Sequence, residues 1–361
     1  MRVVLANPRG FCAGVVMAVD VVDQLLDLLA DDETARPIFV FHEIVHNKHV
    51  VERFRRRGVT FVDSIDEVPE GSIVVFSAHG VSPEVREAAR RRRLTAIDAT
   101  CPLVTKVHME AIRYARDGYQ ILLIGHEGHD EVVGTVGEAP ESILVVESPD
   151  AVDSLSVRDP SRLVYLMQTT LSLYDAEAVV AALKRKFPEI KSPPSDDICY
   201  ATTNRQTAVR VLAPQVDLVL VVGSRNSSNS VRLTEIARGV GTEARLLDDR
   251  TEIEDAWFDG VERVLITAGA SAPEDLVREL IAYLIDRHDA KVQTADVFSE
   301  SVEFGLPAGL KQLMREHGVD PTSRSIRADH NAGVEDWLRS LNAAAEPVQL
   351  TISQSSKPAQ N

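Results

Sequence analysis

The sequence lacks any run of about 18 consecutive apolar residues, so no membrane-spanning helix is expected. It also lacks a secretory leader. The opening "MRVVLANPRGFC" has too short an apolar part, and no cleavage-type site follows; it reads as a strand running into a loop, in a cytoplasmic chain. There is no excess of basic residues: the net charge of −16 argues against a general nucleic-acid binder but leaves room for a local basic pocket. Basic runs at Arg55–Arg57 and Arg90–Arg93 read as solvated helix faces, the alternative being a docking surface for an acidic electron carrier. No G-x-G-x-x-G is present, which speaks against direct nicotinamide chemistry.

Cysteine is scarce as well. Cys12, Cys101 and Cys199 are odd in number and include no C-x-x-C pair, which excludes a disulfide framework in a reducing compartment. Three unrelated buried thiols are one reading. The intervals of 89 and 98 residues suggest another, because each is close to the length of one α/β unit.

What is present is a chain of 361 residues, 44% apolar and 26% charged, ordinary values for a soluble protein of two or three domains. Apolar β-branched runs such as "RVVLA", "SIVVFS", "QILLIG" and "DLVLVVG" alternate with amphipathic stretches such as "VTKVHMEAIRYARDG" and "APEDLVRELIAYLIDRH". This alternation predicts parallel sheets covered by helices, with ligands beyond the carboxyl ends of the strands. The residues that follow the strands are chemically loaded. They include Cys12, His42 and His46, His79, Cys101, "GHEGHDE", Thr169 and Thr170, Cys199, "SRNSSNS" and Ser271. With one cysteine per third of the chain, this implies three similar α/β units aimed at one centre. After about residue 290 the pattern fades, and the last dozen residues read as a disordered tail.

Three converging thiolates make an incomplete metal site. An iron–sulfur cluster with three protein ligands leaves one iron open to substrate; zinc on three cysteines and a histidine is the rival, though zinc cysteines normally come in close pairs. The segment "GHEGHDE" fails the helical zinc signature, since His126 and His129 are three apart rather than four. Hydroxyls and amides at helix starts in "SRNSSNS" and "TAGAS", helped by His46 and His79, suit a phosphate, although each also suits a cap or turn. Glu131 is either a general acid beside the metal or an ordinary first-turn acidic residue.

"ANPRGFCAGV", "FSAHGVS", "DATCPLVTKVH", "DDICYATTNRQ", "GSRNSSNS" and "TAGASAP" together resemble the IspH/LytB family of 4-hydroxy-3-methylbut-2-enyl diphosphate reductases over residues 1–287. The resemblance implies a trefoil of three α/β domains with parallel sheets (14–101, 102–195, and 1–13 with 196–287) around a central iron–sulfur cluster, followed by a C-terminal arm and tail over 288–361. It implies one 4Fe-4S cluster per subunit held by Cys12, Cys101 and Cys199, with the substrate hydroxyl on the fourth iron. His46, His79, Ser227, Ser228, Asn229 and Ser271 would hold the diphosphate. His129 would reach it too and help deliver protons, Glu131 would be the principal proton source, and Thr169 would pass the proton to the hydroxyl. The implied partners are an allylic diphosphate and a one-electron donor such as ferredoxin or flavodoxin, in a monomer or homodimer. The chain departs from the family at "VVMA" after "CAG", where altered packing or a surface contact is expected at Val16 and Met17. It departs again at Glu127 and Asp130, and after residue 290.

Two rival functions remain on the residues alone. One is a cluster-dependent hydration or dehydration without net electron transfer; the other is a non-catalytic sensor of a phosphate ligand, which would not require Glu131.

Overall fold

The alternating runs fold as three separate parallel sheets. The structure, a computed structural model, describes residues 1–30, 36–321, 326–327 and 337. Strand β1 (Arg2–Asn7) leads into helix α1 (Ala13–Leu28). The first sheet follows, with β2 (Ile38–Phe41), α2 (Lys48–Arg56), β3 (Thr60–Val62), β4 (Ile73–Phe76), α3 (Pro83–Arg91) and β5 (Thr95–Asp98), in the order β3-β2-β4-β5. Helix α4 (Pro102–Arg116) opens the second unit. It is followed by β6 (Gln120–Ile124), α5 (Asp130–Glu138), β7 (Ile143–Val146), α6 (Pro149–Ser154), β8 (Leu163–Met167) and α7 (Leu173–Lys186), with strand order β7-β6-β8. The third unit has α8 (Tyr200–Leu212), β9 (Leu218–Val222), α9 (Ser228–Gly239), β10 (Glu243–Leu247), β11 (Arg263–Ala268), α10 (Glu274–His288) and β12 (Lys291–Asp296). Its five strands run β10-β9-β11-β1-β12, so the strand from the start of the chain lies between two from its far end.

Strands β6 and β9 are buried at every position, as expected for strands with both sheet faces covered. Helix starts are marked by their caps. Asn47 accepts from the N–H groups of His49 and Val50, Ser82 accepts from Val85 N just before Pro83, and Ser227 accepts from Ser230 N. These caps fix where each strand-end loop stops, and hence where its functional side chains stand.

The fading pattern after residue 290 conceals regular structure. Beyond β12 come β13 (Glu303–Phe304), α11 (Ala308–Glu316) and β14 (Ile326–Arg327), and β13 pairs antiparallel with β14. Leu306, Leu310, Leu313 and Met314 join the core of the first unit, and the backbone of Ala96 lies so close to Gly309 that a side chain there would meet it at 3.2 Å. The segment therefore leaves the third sheet and docks on the first. The expected tail over the last dozen residues lies outside the described residues.

At the "VVMA" departure, Met17 is buried in the same core and Val16 packs against it, so the effect is one of packing. No described helix is long and apolar enough to cross a membrane. The basic runs are solvated, largely ion-paired faces: Arg57 pairs with Asp23 and Asp27, Arg56 with Glu52, and Arg90 with Glu87.

Candidate active site and metal centre

Each cysteine is the residue immediately before a helix: Cys12 caps α1, Cys101 caps α4 and Cys199 caps α8. The first turn of a helix carries unpaired N–H groups and a partial positive charge, a favourable place for a thiolate. Cys199 Sγ uses this directly, with Thr202 N at 3.4 Å and Thr202 Oγ1 at 3.1 Å. All three thiols are nevertheless pushed up by burial, Cys199 to about 11, with the charge of Cys12 adding to the rise at both Cys101 and Cys199. Like charges raise one another in this way, and a bound cation would let the thiols ionise together.

Glycine makes the approach possible. A Cβ on Gly14 would lie 2.6 Å from Cys101 Sγ and 4.0 Å from Cys12 Sγ. Among the described residues, His46, His79 and Asp130 form a further group whose ligand atoms lie within 4.8 Å of one another.

The sulfurs share one cavity of about 720 Å³, part of it open to solvent, with His46, His79, His129, Glu131 and Thr169 and with the start of α9. His46 and His79, from the ends of β2 and β4, stack at 3.9 Å between ring centres, and His129 meets them edge-on at 5.4 and 6.1 Å. Burial, then the neighbouring His46, holds the His79 imidazole well below the usual range, and burial also lowers His129. His129 is the N-cap of α5, and its Nδ1 accepts from Glu131 N at 3.2 Å. That bond assigns the proton of the neutral ring to Nε2, which makes Nε2 a donor.

Glu131, only 5% exposed, turns Oε2 toward Thr169, accepting from the backbone N at 3.0 Å and from Oγ1 at 2.8 Å. Opposite them, Ser271 Oγ donates to His46 O at 2.9 Å and lies 3.3 Å from Ser227 Oγ. Asn229 is buried, yet neither its amide oxygen nor its amide nitrogen has a partner within the protein. An orphaned buried amide aimed into a cavity marks a place where a ligand supplies the missing bonds. Ser228 also lines the cavity.

His126 takes no part in this. It is absent from the cavity wall, and its Nε2 accepts from Arg232 Nη2 at 3.0 Å. Asp130 has a definite role: its carboxylate binds His42 Nδ1 at 2.9 Å and lies 3.8 Å from His79 Nδ1, joining the second unit to the first. The histidine partners hold it at about 2 against burial, and the same contact raises His42. Sequence reasoning missed this pair, together with Arg205 on α8 and Phe304 on β13, which also lines the cavity. A buried arginine inside the "TTNRQ" motif was the one available signal.

Residues 3–285 match the profile of the family described as LytB protein. The chain belongs to this family. A LytB relative from Rhodopirellula baltica, named 4-hydroxy-3-methylbut-2-enyl diphosphate reductase, is 55% identical over 319 residues, covering 88% of this chain and 98% of the relative. A relative of the same name from Nocardia farcinica is 56% identical over 315 residues, with coverage of 87% and 92%. Among solved structures, the E-1-hydroxy-2-methyl-but-2-enyl-4-diphosphate reductase of Plasmodium falciparum superposes with a TM-score of 0.84 at 38% identity, over 88% of this chain and 99% of that one. A second, described as the terminal enzyme of the non-mevalonate pathway, gives 0.57 at 32% identity, over 79% and 100%.

Proposed function

We propose that this chain reductively dehydroxylates 4-hydroxy-3-methylbut-2-enyl diphosphate to isopentenyl and dimethylallyl diphosphate, the last step of the non-mevalonate route to isoprenoids. The named relatives support the reaction. The observation that carries it is the convergence, in one cavity, of three helix-capping thiols, a buried carboxylate and an unsatisfied amide. Cys12, Cys101 and Cys199 would hold a 4Fe-4S cluster, which when bound supplies Lewis acidity and single-electron transfer at that end of the cavity. The reaction consumes two electrons and two protons, breaks the carbon–oxygen bond and releases water.

The residues divide this work by position. His46, His79, Ser227, Ser228, Asn229 and Ser271 bind the diphosphate, through imidazole and hydroxyl donors, the free amide of Asn229 and the N–H groups at the start of α9. His129 adds the Nε2–H donor and orients Glu131 through its backbone. Glu131 is the proton source, and Thr169 Oγ1, bonded to it, carries the proton to the hydroxyl. Electrons come from an external one-electron carrier such as ferredoxin or flavodoxin.

The test is anaerobic purification, iron and sulfide analysis, and turnover of the diphosphate with a reduced dye. About four irons per chain with substrate consumption supports the reading. Stoichiometric zinc without turnover overturns it.

A further inference from the structure

Arg205 is fully buried on α8, in the third unit. Its Nε and Nη2 both donate to Gly10 O, at 3.2 and 2.8 Å, and its Nη1 donates to Ala201 O at 3.0 Å. Gly10 lies two residues before Cys12, and Ala201 two residues after Cys199. One guanidinium therefore ties down the backbone beside two of the three sulfurs. Tyr200 reinforces the link, since its hydroxyl accepts from Ala13 N at 3.3 Å.

Two carbonyl oxygens leave the positive charge of Arg205 unmatched. The counter-charge comes from Glu300, on the segment between β12 and β13, with Oε1 3.0 Å from Nη1 and Oε2 3.4 Å from Nη2. The Glu300 side chain is only 7% exposed and also accepts from Asn204 Nδ2 at 3.1 Å. A buried guanidinium without an anion is unfavourable, so loss of this carboxylate would drive Arg205 toward water and away from both carbonyls. Four residues further on, Phe304 lines the cavity and packs on the same core as Phe11 and Cys12. The segment thus meets the metal end of the cavity twice.

We infer that Glu300 is a positioning residue for the metal centre, acting through Arg205 to fix the loops that present Cys12 and Cys199. The inference rests on the cluster reading above. It assigns the segment after residue 296 a part in retaining the metal, separate from substrate binding.

The full chain, loaded anaerobically, is mixed with a ferrous chelator and iron release is followed by absorbance. Glu300→Gln preserves shape and removes the charge. It should release iron roughly tenfold faster, in line with the weight of one buried charge-assisted contact. Its reduction potential should move positive, because a negative charge beside the cluster is gone; a purely structural role would leave that potential unchanged. Glu300→Asp should recover part of the retention. Glu316→Gln, exposed on α11, should match the parent chain in both respects. Parent-like release and potential in Glu300→Gln overturn this inference alone, whereas a parent chain that takes up no iron overturns the cluster reading and this inference with it.

Discussion

Replacing Glu131 with glutamine separates the proton from the shape. The carboxylate is buried and accepts two hydrogen bonds from Thr169, at 3.0 Å from N and 2.8 Å from Oγ1. A glutamine side chain is isosteric, and its amide oxygen can accept both bonds. The substitution therefore keeps both contacts, at a cost of about 1 kcal/mol or less in stability. What it removes entirely is the transferable proton. A positioned acid contributes about 10²–10⁴-fold in rate, or about 3–5 kcal/mol of barrier. The expected outcome is a fall in kcat of about 10²–10⁴, with KM little changed and iron and sulfide content at the parent level. Anaerobic steady-state turnover alongside metal analysis reads all three quantities. A variant that keeps kcat within a few-fold of the parent refutes Glu131 as the proton source. Loss of iron in the variant would recast the residue as structural.

Three further outcomes follow from the same site. Gly14→Ala adds a Cβ only 2.6 Å from Cys101 Sγ while favouring the helix by up to about 1 kcal/mol. It should yield a folded chain that has lost most of its iron; parent-level iron would refute the convergence of these sulfurs. Asn229→Ala removes a buried amide that has no protein partner, so ligand-free stability should hold or rise by about 1 kcal/mol while KM climbs roughly tenfold. An unchanged KM in that variant removes Asn229 from the diphosphate site. Asp130→Asn should destabilise by about 1 kcal/mol at pH 5.5, both side chains being partly exposed. Asp130 is depressed to about 2, so its contribution is present above its ordinary 3.8 and is lost as pH falls toward 2. His42 is raised above 6.5, so its share is full below 6.5 and is lost as pH rises through the raised value. Urea titrations at pH 5.5 and 8.5 should therefore show the gap between parent and variant narrowing at the higher pH, and a constant gap refutes the pairing.

The strand ends were legible because the chemistry sits where periodicity changes. An apolar run, a short polar loop and an amphipathic stretch mark Cys12, Cys101 and Cys199 as the residues before α1, α4 and α8. Strands β3, β10 and β12 are harder to read from the sequence for a common reason. Each is the edge of its sheet, and "TFV", "EARLL" and "KVQTAD" carry exposed or half-exposed positions that blur the apolar run. Contacts between residues far apart in the chain were hidden differently. His42 and Asp130 are 88 residues apart, and Arg205 and Glu300 are 95 apart. Nothing in local spacing records which loops of separate sheets meet. Asp130 stood out by type, but its effect became readable only once β2 and α5 were placed side by side.

The position of β1 sets a timetable for the chain. It is hydrogen-bonded on both sides, to β11 and β12, strands that follow it by about 260 and 290 residues. At a synthesis rate of about 5–20 residues per second, it waits on the order of fifteen seconds to a minute for its neighbours. Cys12 follows that strand, so the loop that carries it is anchored on one side once β11 has emerged and on the other only with β12. A chain broken off before residue 291 would leave β1 with one bare edge, an open template for pairing with other chains.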